Sequence, residues 1–272
     1  MLFQHKYGPW AIVAGAAVGL GEAYSIALAK RGINIVMIDN QVEIMHKLAV
    51  KIRRTYGIQI MELPFDLAEN DVVERIMNSV NIKECRLLIY NAAYSKIQSF
   101  TSMSADDLDL FIQINSSTLL KLVHAFANRL KKDTLSGGIL LMSSLAGLLG
   151  MQLVAPYAAT KAFTWNLAEA LHHELKPFNI DIMACIAGAT ATTAYLDTKP
   201  QYGLFRPQVM DPHNVAEKAL NNLGKTVLYV PGMNNQISYS ILTRLLPRKV
   251  ASAIANRTMG RLYPHKSERP SV

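Results

Sequence analysis

Cysteine is scarce in this chain: Cys85 and Cys185 are the only two in 272 residues, each inside an apolar run. Such a pair offers no disulfide framework and no paired-thiolate metal site. Both read as buried thiols in a reducing compartment, which points to the cytoplasm. Long apolar runs are missing as well. The N-terminus, MLFQHKYGPWAIVAG, has no basic segment followed by a sustained hydrophobic one, which excludes a cleaved signal and a membrane-spanning helix there. Zinc-finger, RNA-binding and helix-turn-helix patterns are absent, so the net charge of +8 is not read as a nucleic-acid signature. A basic surface that draws in an anionic cofactor accounts for part of that charge. No linker or internal repeat divides the chain.

What is present is a large apolar fraction, 50% of residues, enough for a substantial core at this length. Residues 10–13 form a short apolar run that leads into AGAAVGLG, with Gly15, Gly19 and Gly21 separated by residues that include Val18 and Leu20. Helical spacing follows through Ala23, Ile26, Ala27 and Ala29, with Gly32 expected at C′. A second buried-strand run, 33–38, ends in Asp39. Glycines let backbone approach a pyrophosphate at a helix N-terminus, and an acid about 20 residues onward accepts a ribose diol; from Gly15 to Asp39 the count is 39 − 15 = 24. Asp39 repels a 2′-phosphate, and Asn40 and Gln41 follow where a phosphate-binding arginine would stand. NAD is therefore favoured over NADP.

The alternation continues. A helix is expected over 41–56, a strand over 58–65, then Asp66 and Leu67, with Asp66 either touching an adenine or capping a helix that starts at Leu67. A helix over 72–80 and a strand over 86–90 lead to Asn91, Ala92 and Ala93, small residues that permit close approach of a ligand. The long helix expected over 106–131 contains Asn115, a poor interior residue, which is either a surface Asn or a side chain or distorted turn that holds a water. A strand over 179–186, the turn at Ala187 and Gly188, and a Thr-rich loop with Thr192 come later. That loop runs to about Met210 and carries Tyr195, Tyr202, Leu204 and Phe205, the composition of a lid with an apolar inner wall. A capped helix over 211–223 and a strand over 226–230 complete an α/β, doubly wound, mainly parallel seven-stranded sheet of Rossmann type, with helices on both faces. Residues 1–232 read as the dinucleotide-binding catalytic domain and 233–272 as its basic, partly amphipathic C-terminal helical extension.

The chemistry concentrates in residues 138–161, GILLMSSLAGLLGMQLVAPYAATK. An apolar run ends in Ser143 and Ser144, and Tyr157 and Lys161 lie four apart on one face of a helix that starts near Pro156. A phenol can pass a proton to or from a reacting oxygen, and a nearby ammonium lowers its pKa. By itself this pair also occurs on solvated helices.

Taken together, these motifs resemble those of the classical short-chain dehydrogenase/reductase family, over nearly the whole chain. Its cofactor motif is matched by Ala14, Gly15, Gly19 and Gly21, with Ala14 where threonine is usual. Its NNAG motif is matched by Tyr90, Asn91, Ala92 and Ala93, and its PG turn by Ala187, Gly188 and Thr192, without the proline. The resemblance implies a catalytic tetrad of Asn115, Ser144, Tyr157 and Lys161. Ser144 is preferred to Ser143 because the family's spacing to the tyrosine is met by 157 − 144 = 13. It further implies cofactor contacts from Asp66, Leu67, Tyr157 and Lys161, no metal, and a homodimer or homotetramer through the helices of Asn115 and Tyr157. The expected substrate is a small apolar secondary alcohol or ketone, steroid-like or fatty-chain, with a 3-oxoacyl thioester as competitor and a non-catalytic NAD sensor or scaffold as a reading of another class. The C-terminus is similar to those of members near the 17β-hydroxysteroid dehydrogenases and related bacterial oxidoreductases. Beyond Gly232 only Glu268 is acidic, and Ile237, Ile241, Leu242, Leu245 and Leu246 suggest one apolar helix face. This segment is expected to pack on its own domain or a sister subunit, with peripheral contact to an anionic membrane as the alternative.

Overall fold

The computed structural model describes residues 3–80, 84–202 and 207–266. Seven strands form one sheet: β1 (Trp10–Ala14), β2 (Asn34–Ile38), β3 (Ile60–Leu63), β4 (Cys85–Tyr90), β5 (Gly137–Ser144), β6 (Ile180–Ala187) and β7 (Leu228–Tyr229). Their order is β3-β2-β1-β4-β5-β6-β7, and every pairing is parallel, so the sheet is wholly rather than mainly parallel. The chain winds outward one way through β1, β2 and β3, then crosses to β4 and winds the other way. The crevice above the carboxyl ends of β1 and β4, where the winding reverses, is where such sheets bind ligands.

Parallel strands are covered on both sides, which explains their continuous apolar runs. Alternate residues of β1 sort to opposite faces. Ala11 and Val13 face a core built with α2 (Leu20–Ala29), α3 (Val42–Tyr56) and the later helix over Pro212–Asn222; Trp10, Ile12 and Ala14 face the other core. That second core uses α4 (Val72–Ser79), the long helical segment after β4, and the helix that follows β5. Full burial of a large apolar side chain such as Phe126 or Leu28 contributes roughly 1.5–3 kcal/mol. Cys185 lies inside the first core, where burial pushes its thiol up to about 12, and both cysteines are free and buried.

Several local expectations change. A short α1 (Phe3–Tyr7) precedes β1, and Tyr7 donates to Asp181 at the start of β6. Gly32, expected at C′, sits two residues past the C-cap Lys30, with φ +69. No helix starts at Leu67: Asp66 instead accepts from the Ala68 N–H at 2.9 Å, an Asx-type turn, and α4 begins at Val72. The helix around Asn115 is broken into α5 (Ala105–Ile112), a π-helical stretch (Gln113–Thr118) and α6 (Leu119–Lys132). Asn115 is buried within that stretch, so the turn is distorted there and the surface side chain is excluded. The helix after β5 is α7 (Ala155–Leu175), with Pro156 in its first turn. The loop after β6 contains a short α8 (Thr193–Leu196), followed by α9 (Pro212–Asn222), whose N-cap Asp211 accepts from the Asn214 N–H at 2.9 Å. Leu204, Phe205 and Glu268 lie outside the described residues.

The C-terminal segment forms α10 (Met233–Ser240), a π-helical stretch (Ile241–Leu245) and α11 (Arg248–Leu262). These helices pack on the rest of the chain at two small cores. Ala251 and Ala255 sit on Leu148, Leu149, Ile186 and Val230, while Met259 and Tyr263 sit on Leu153 and Val154, just ahead of α7. The single apolar face expected here does not hold: Leu242 and Leu246 pack inward, whereas Ile237, Ile241 and Leu245 are exposed. Among the described residues no helix is long and apolar enough to cross a membrane.

Candidate active site

The glycine turn after β1 is held against β2 by N–H donation from Gly15 and Ala16 to the Ile38 carbonyl. Gly15 takes φ +78, and a Cβ there would sit 2.7 Å from the Ala92 backbone; at Gly21 it would fall 1.8 Å from the Gly15 carbonyl oxygen. Only glycine lets α2 close on the turn this tightly. Gly19 is the N-cap of α2 and no side chain caps it, which leaves a helix N-terminus open to an anion. Asp39 is buried, its Oδ2 accepting from the Ala17 N–H at 2.9 Å and its Oδ1 from Gln41 at 3.0 Å. Each carboxylate oxygen keeps a free lone pair, so the group remains able to accept from a diol. Asn91 donates through Nδ2 to the Gly15 carbonyl at 2.7 Å, which ties the end of β4 to the turn. Asp66 accepts from Asn40 Nδ2 at 3.3 Å, next to Asp39.

Beside this cradle stand the β5 serines and the first turns of α7. Lys161 is buried and donates through Nζ to the Met142 carbonyl at 2.7 Å, with Nζ 5.5 Å from the centre of the Tyr157 ring. Burial lowers its ammonium to about 8. Burial pushes the Tyr157 phenol up, while a hydrogen bond with Ser144 pulls it the other way. Ser143 and Ser144 divide their tasks as adjacent strand residues must. Both touch the cavity wall, but Ser143 spends its hydroxyl on the Lys161 carbonyl at 2.7 Å, whereas Ser144 pairs with Tyr157. Asn115 accepts from the Tyr94 N–H at 2.7 Å and donates to the Tyr94 carbonyl at 2.9 Å and to Thr160 Oγ1 at 3.1 Å. Both amide hydrogens are thus spent on protein groups. A water held there has to donate to Oδ1 or to a backbone carbonyl.

Most of these residues line one cavity of about 1470 Å³, which runs from Asp39 past the glycine turn to Tyr157 and on beneath the C-terminal helices. That volume exceeds the usual range for one small ligand, about 300–1,000 Å³, and suits a dinucleotide together with a second molecule. Of the site residues predicted from sequence, all but two lie on its wall, among them Val18, Leu20, Leu67, Ala92, Ala93 and Thr192. The two exceptions, Gly21 and Asn115, are packed behind it. The fold and this site define a dinucleotide-binding protein of the doubly wound class: the glycine cradle, the uncapped helix and the open lone pairs of Asp39 fit a nicotinamide dinucleotide.

Several contributors carried no sequence signal. Asp107 binds Tyr94 Oη and Lys96 Nζ, the latter at 2.7 Å, and so pins the loop that follows β4; these partners hold its carboxyl well below the usual range. Gly188 packs directly on the Asn235 side chain, which donates to the Pro231 carbonyl at 2.9 Å. The loop after β6 is fastened to the C-terminal segment by Thr198–Tyr263 at 2.9 Å and by Gln201 N–H donating to the Leu262 carbonyl at 2.8 Å. Ala187 in place of the expected proline was the one hint that the Gly188 turn needs bracing from elsewhere.

Residues 9–202 match the family described as short chain dehydrogenase, and the chain belongs to that family of oxidoreductases, which use a nicotinamide cofactor. It is 30% identical over 236 residues to a 7beta-hydroxysteroid dehydrogenase of Clostridium sardiniense, covering 87% of this chain and 90% of that one. It is also 30% identical over 232 residues to a very-long-chain 3-oxoacyl-CoA reductase of Debaryomyces hansenii, covering 81% of this chain and 65% of that one. Among solved structures, one described in terms of 7beta-hydroxysteroid dehydrogenase stereoselectivity superposes with a TM-score of 0.84 at 23% identity, covering 94% of this chain and 99% of that one.

Proposed function

We propose that this protein transfers a hydride between NAD(H) and a hydrophobic secondary alcohol or ketone of steroid-like or fatty-chain type, with residues 1–232 as catalytic domain and 233–272 as an extension that walls the substrate side. The observation that carries the reading is the placement of Tyr157, Ser144 and Lys161 on one cavity, between the glycine cradle and an apolar recess under Met259 and Leu262. When bound, the nicotinamide ring supplies the hydride chemistry. Tyr157 moves the proton at the substrate oxygen. Burial favours its protonated form, which gives a proton to a carbonyl, while the Lys161 ammonium favours the phenolate, which takes one from an alcohol. Ser144 hydrogen-bonds the same oxygen, and Lys161 also holds the ribose hydroxyls of the cofactor. Asn115 positions the site through Tyr94 and Thr160. Gly15, Gly19 and the start of α2 receive the pyrophosphate, Asp39 the adenosine ribose, Asp66 and Leu67 the adenine edge, and Gly188 and Thr192 the nicotinamide end. Oxidation of the alcohol is the proposed physiological direction, because cellular NAD pools are mostly oxidised. The names of the two relatives support an apolar substrate of this kind.

A 3-oxoacyl thioester is a second reading, favoured by Lys199 and Lys266, which line the cavity with no ion-pair partner among the described residues. The assembly proposed is a homodimer or homotetramer through α5, α6 and α7, where Ile112 and Leu120 are exposed. The two buried thiols support a cytoplasmic location. Initial rates with NAD and NADP against a panel of apolar alcohols, ketones and acyl thioesters test the function. NAD-linked turnover of the bulky apolar members is expected. Cofactor binding without any turnover would favour a sensor or scaffold.

A further inference from the structure

The C-terminal segment carries an apolar stripe that its own domain leaves uncovered. Met233, Ile237, Ile241 and Leu245 recur every four residues along α10 and the π-helical stretch after it, and all are exposed, Met233 at 71% and Leu245 at 73%. A spacing of four drifts round an α-helix by about 40° per step, and a wider π turn at the end of the run brings the stripe back. Val250 and Ile254, again four apart, expose a second stripe on α11. The two stripes meet at the cavity: Ile241 and Ile254 are both exposed on the surface and part of its wall. The edge of the cavity on this side therefore carries both stripes, with Ser238, Thr258 and Lys266 beside them.

The charge carried by α10, α11 and the turn after them has one sign. Arg244, Arg248, Lys249, Arg257, Arg261 and Lys266 are exposed, and none has an ion-pair partner among the described residues. No acid within these helices offsets them, since no Asp or Glu occurs between Glu217 and Glu268; Asp197, exposed on the cavity wall beside Thr198, is the acid that the neighbouring loop brings to this side. Exposed apolar side chains ringed by unpaired cations are the surface that an anionic bilayer complements: the side chains enter the headgroup boundary and the cations meet its phosphates. A protein partner would need an acidic rim, and a second copy of this chain would set like charge against like charge.

We propose that α10 and α11 dock this protein on an anionic lipid surface, with the cavity mouth against the lipid so that an apolar substrate passes between bilayer and site without crossing water. The proposal rests on the apolar substrate class argued above, but docking itself does not require turnover. It is tested by sedimenting the full chain with phosphatidylcholine vesicles that contain or lack phosphatidylglycerol, at low and high salt. Binding is expected only with phosphatidylglycerol, with about a fivefold loss of partition for each of Arg244, Arg248 and Lys249 changed to Gln, and release at high salt. Met233→Glu and Leu245→Glu, both at exposed positions off the cavity wall, should abolish sedimentation yet leave turnover of a water-soluble short-chain substrate unchanged. Wild type that stays in the supernatant with both vesicle types, or a self-association that both Glu variants disrupt while lipid binding is nil, overturns the proposal. Docking with no turnover of any alcohol or ketone would instead refute the oxidoreductase reading and leave docking intact.

Discussion

Replacing Lys161 with methionine removes an ammonium that is buried in the fold, and its effects on stability and on activity should have opposite signs. Burial lowers this group from 10.5 to about 8. At about 1.36 kcal/mol per unit, holding the charge inside the native state costs on the order of 3 kcal/mol near neutral pH. The substitution also loses the hydrogen bond to the Met142 carbonyl, worth about 1 kcal/mol, and retains most of the side-chain volume. The variant should therefore be more stable than wild type by about 1–2 kcal/mol, with Tm higher by about 2–4 °C per kcal/mol. The sign of the pH dependence follows from the native value lying below the unfolded one. Below about 8 both states are protonated and the penalty is fully present. Between about 8 and 10.5 the unfolded chain holds a proton that the native state has released, so wild type gains stability as pH rises and the advantage of the variant shrinks. Urea titrations of both proteins at stepped pH read this difference directly. A variant less stable than wild type below that window, or a difference constant through it, refutes the burial argument. Turnover should fall sharply in the same variant, the stability–function opposition common at active sites.

Other outcomes follow from the same geometry. Asp39→Asn keeps the acceptor for the Ala17 N–H but removes the charge, so the ratio of kcat/KM with NAD to that with NADP should fall at least about tenfold, the scale of one charged hydrogen bond. An unchanged ratio would show that this carboxylate does not set cofactor choice. Asn235→Ala should loosen the Gly188 turn and raise the cofactor KM by about fivefold to tenfold with little change in kcat. A lowered Tm with KM unchanged would make Asn235 merely structural.

The parts of this molecule that were legible in the sequence are those fixed by local constraint. Buried parallel strands need continuous apolar runs, and the approach of α2 to the β1 turn needs Gly15 and Gly21, so the cradle could be read residue by residue. Asn115 was visible as an anomaly, because a short amide is out of place in a helix. Its partners were not visible, since Tyr94 and Thr160 reach it from elements distant in the chain. Asp66 misled because an Asx turn to Ala68 and an N-cap use the same carboxylate-to-N–H bond, and only the five residues before α4 separate them. In the C-terminal segment, periodicity suggested one apolar face, whereas Leu242 and Leu246 turn inward and Ile237, Ile241 and Leu245 outward, because spacing alone does not say which side the domain covers and a π-helical stretch follows Ser240. The Thr198–Tyr263 and Gly188–Asn235 contacts join segments whose sequences carry no mark of one another.

The central claim is that Tyr157 moves the proton in a nicotinamide-linked reaction at this cavity, and Tyr157→Phe tests it most directly. Steady-state turnover of an apolar secondary alcohol and fluorescence titration of NADH should be measured on the same preparation. Turnover should fall by about 10²–10⁴, the usual scale of a lost acid/base group, with NADH affinity within about twofold of wild type. A variant that turns over like wild type, with the cofactor equally well bound, would contradict the account.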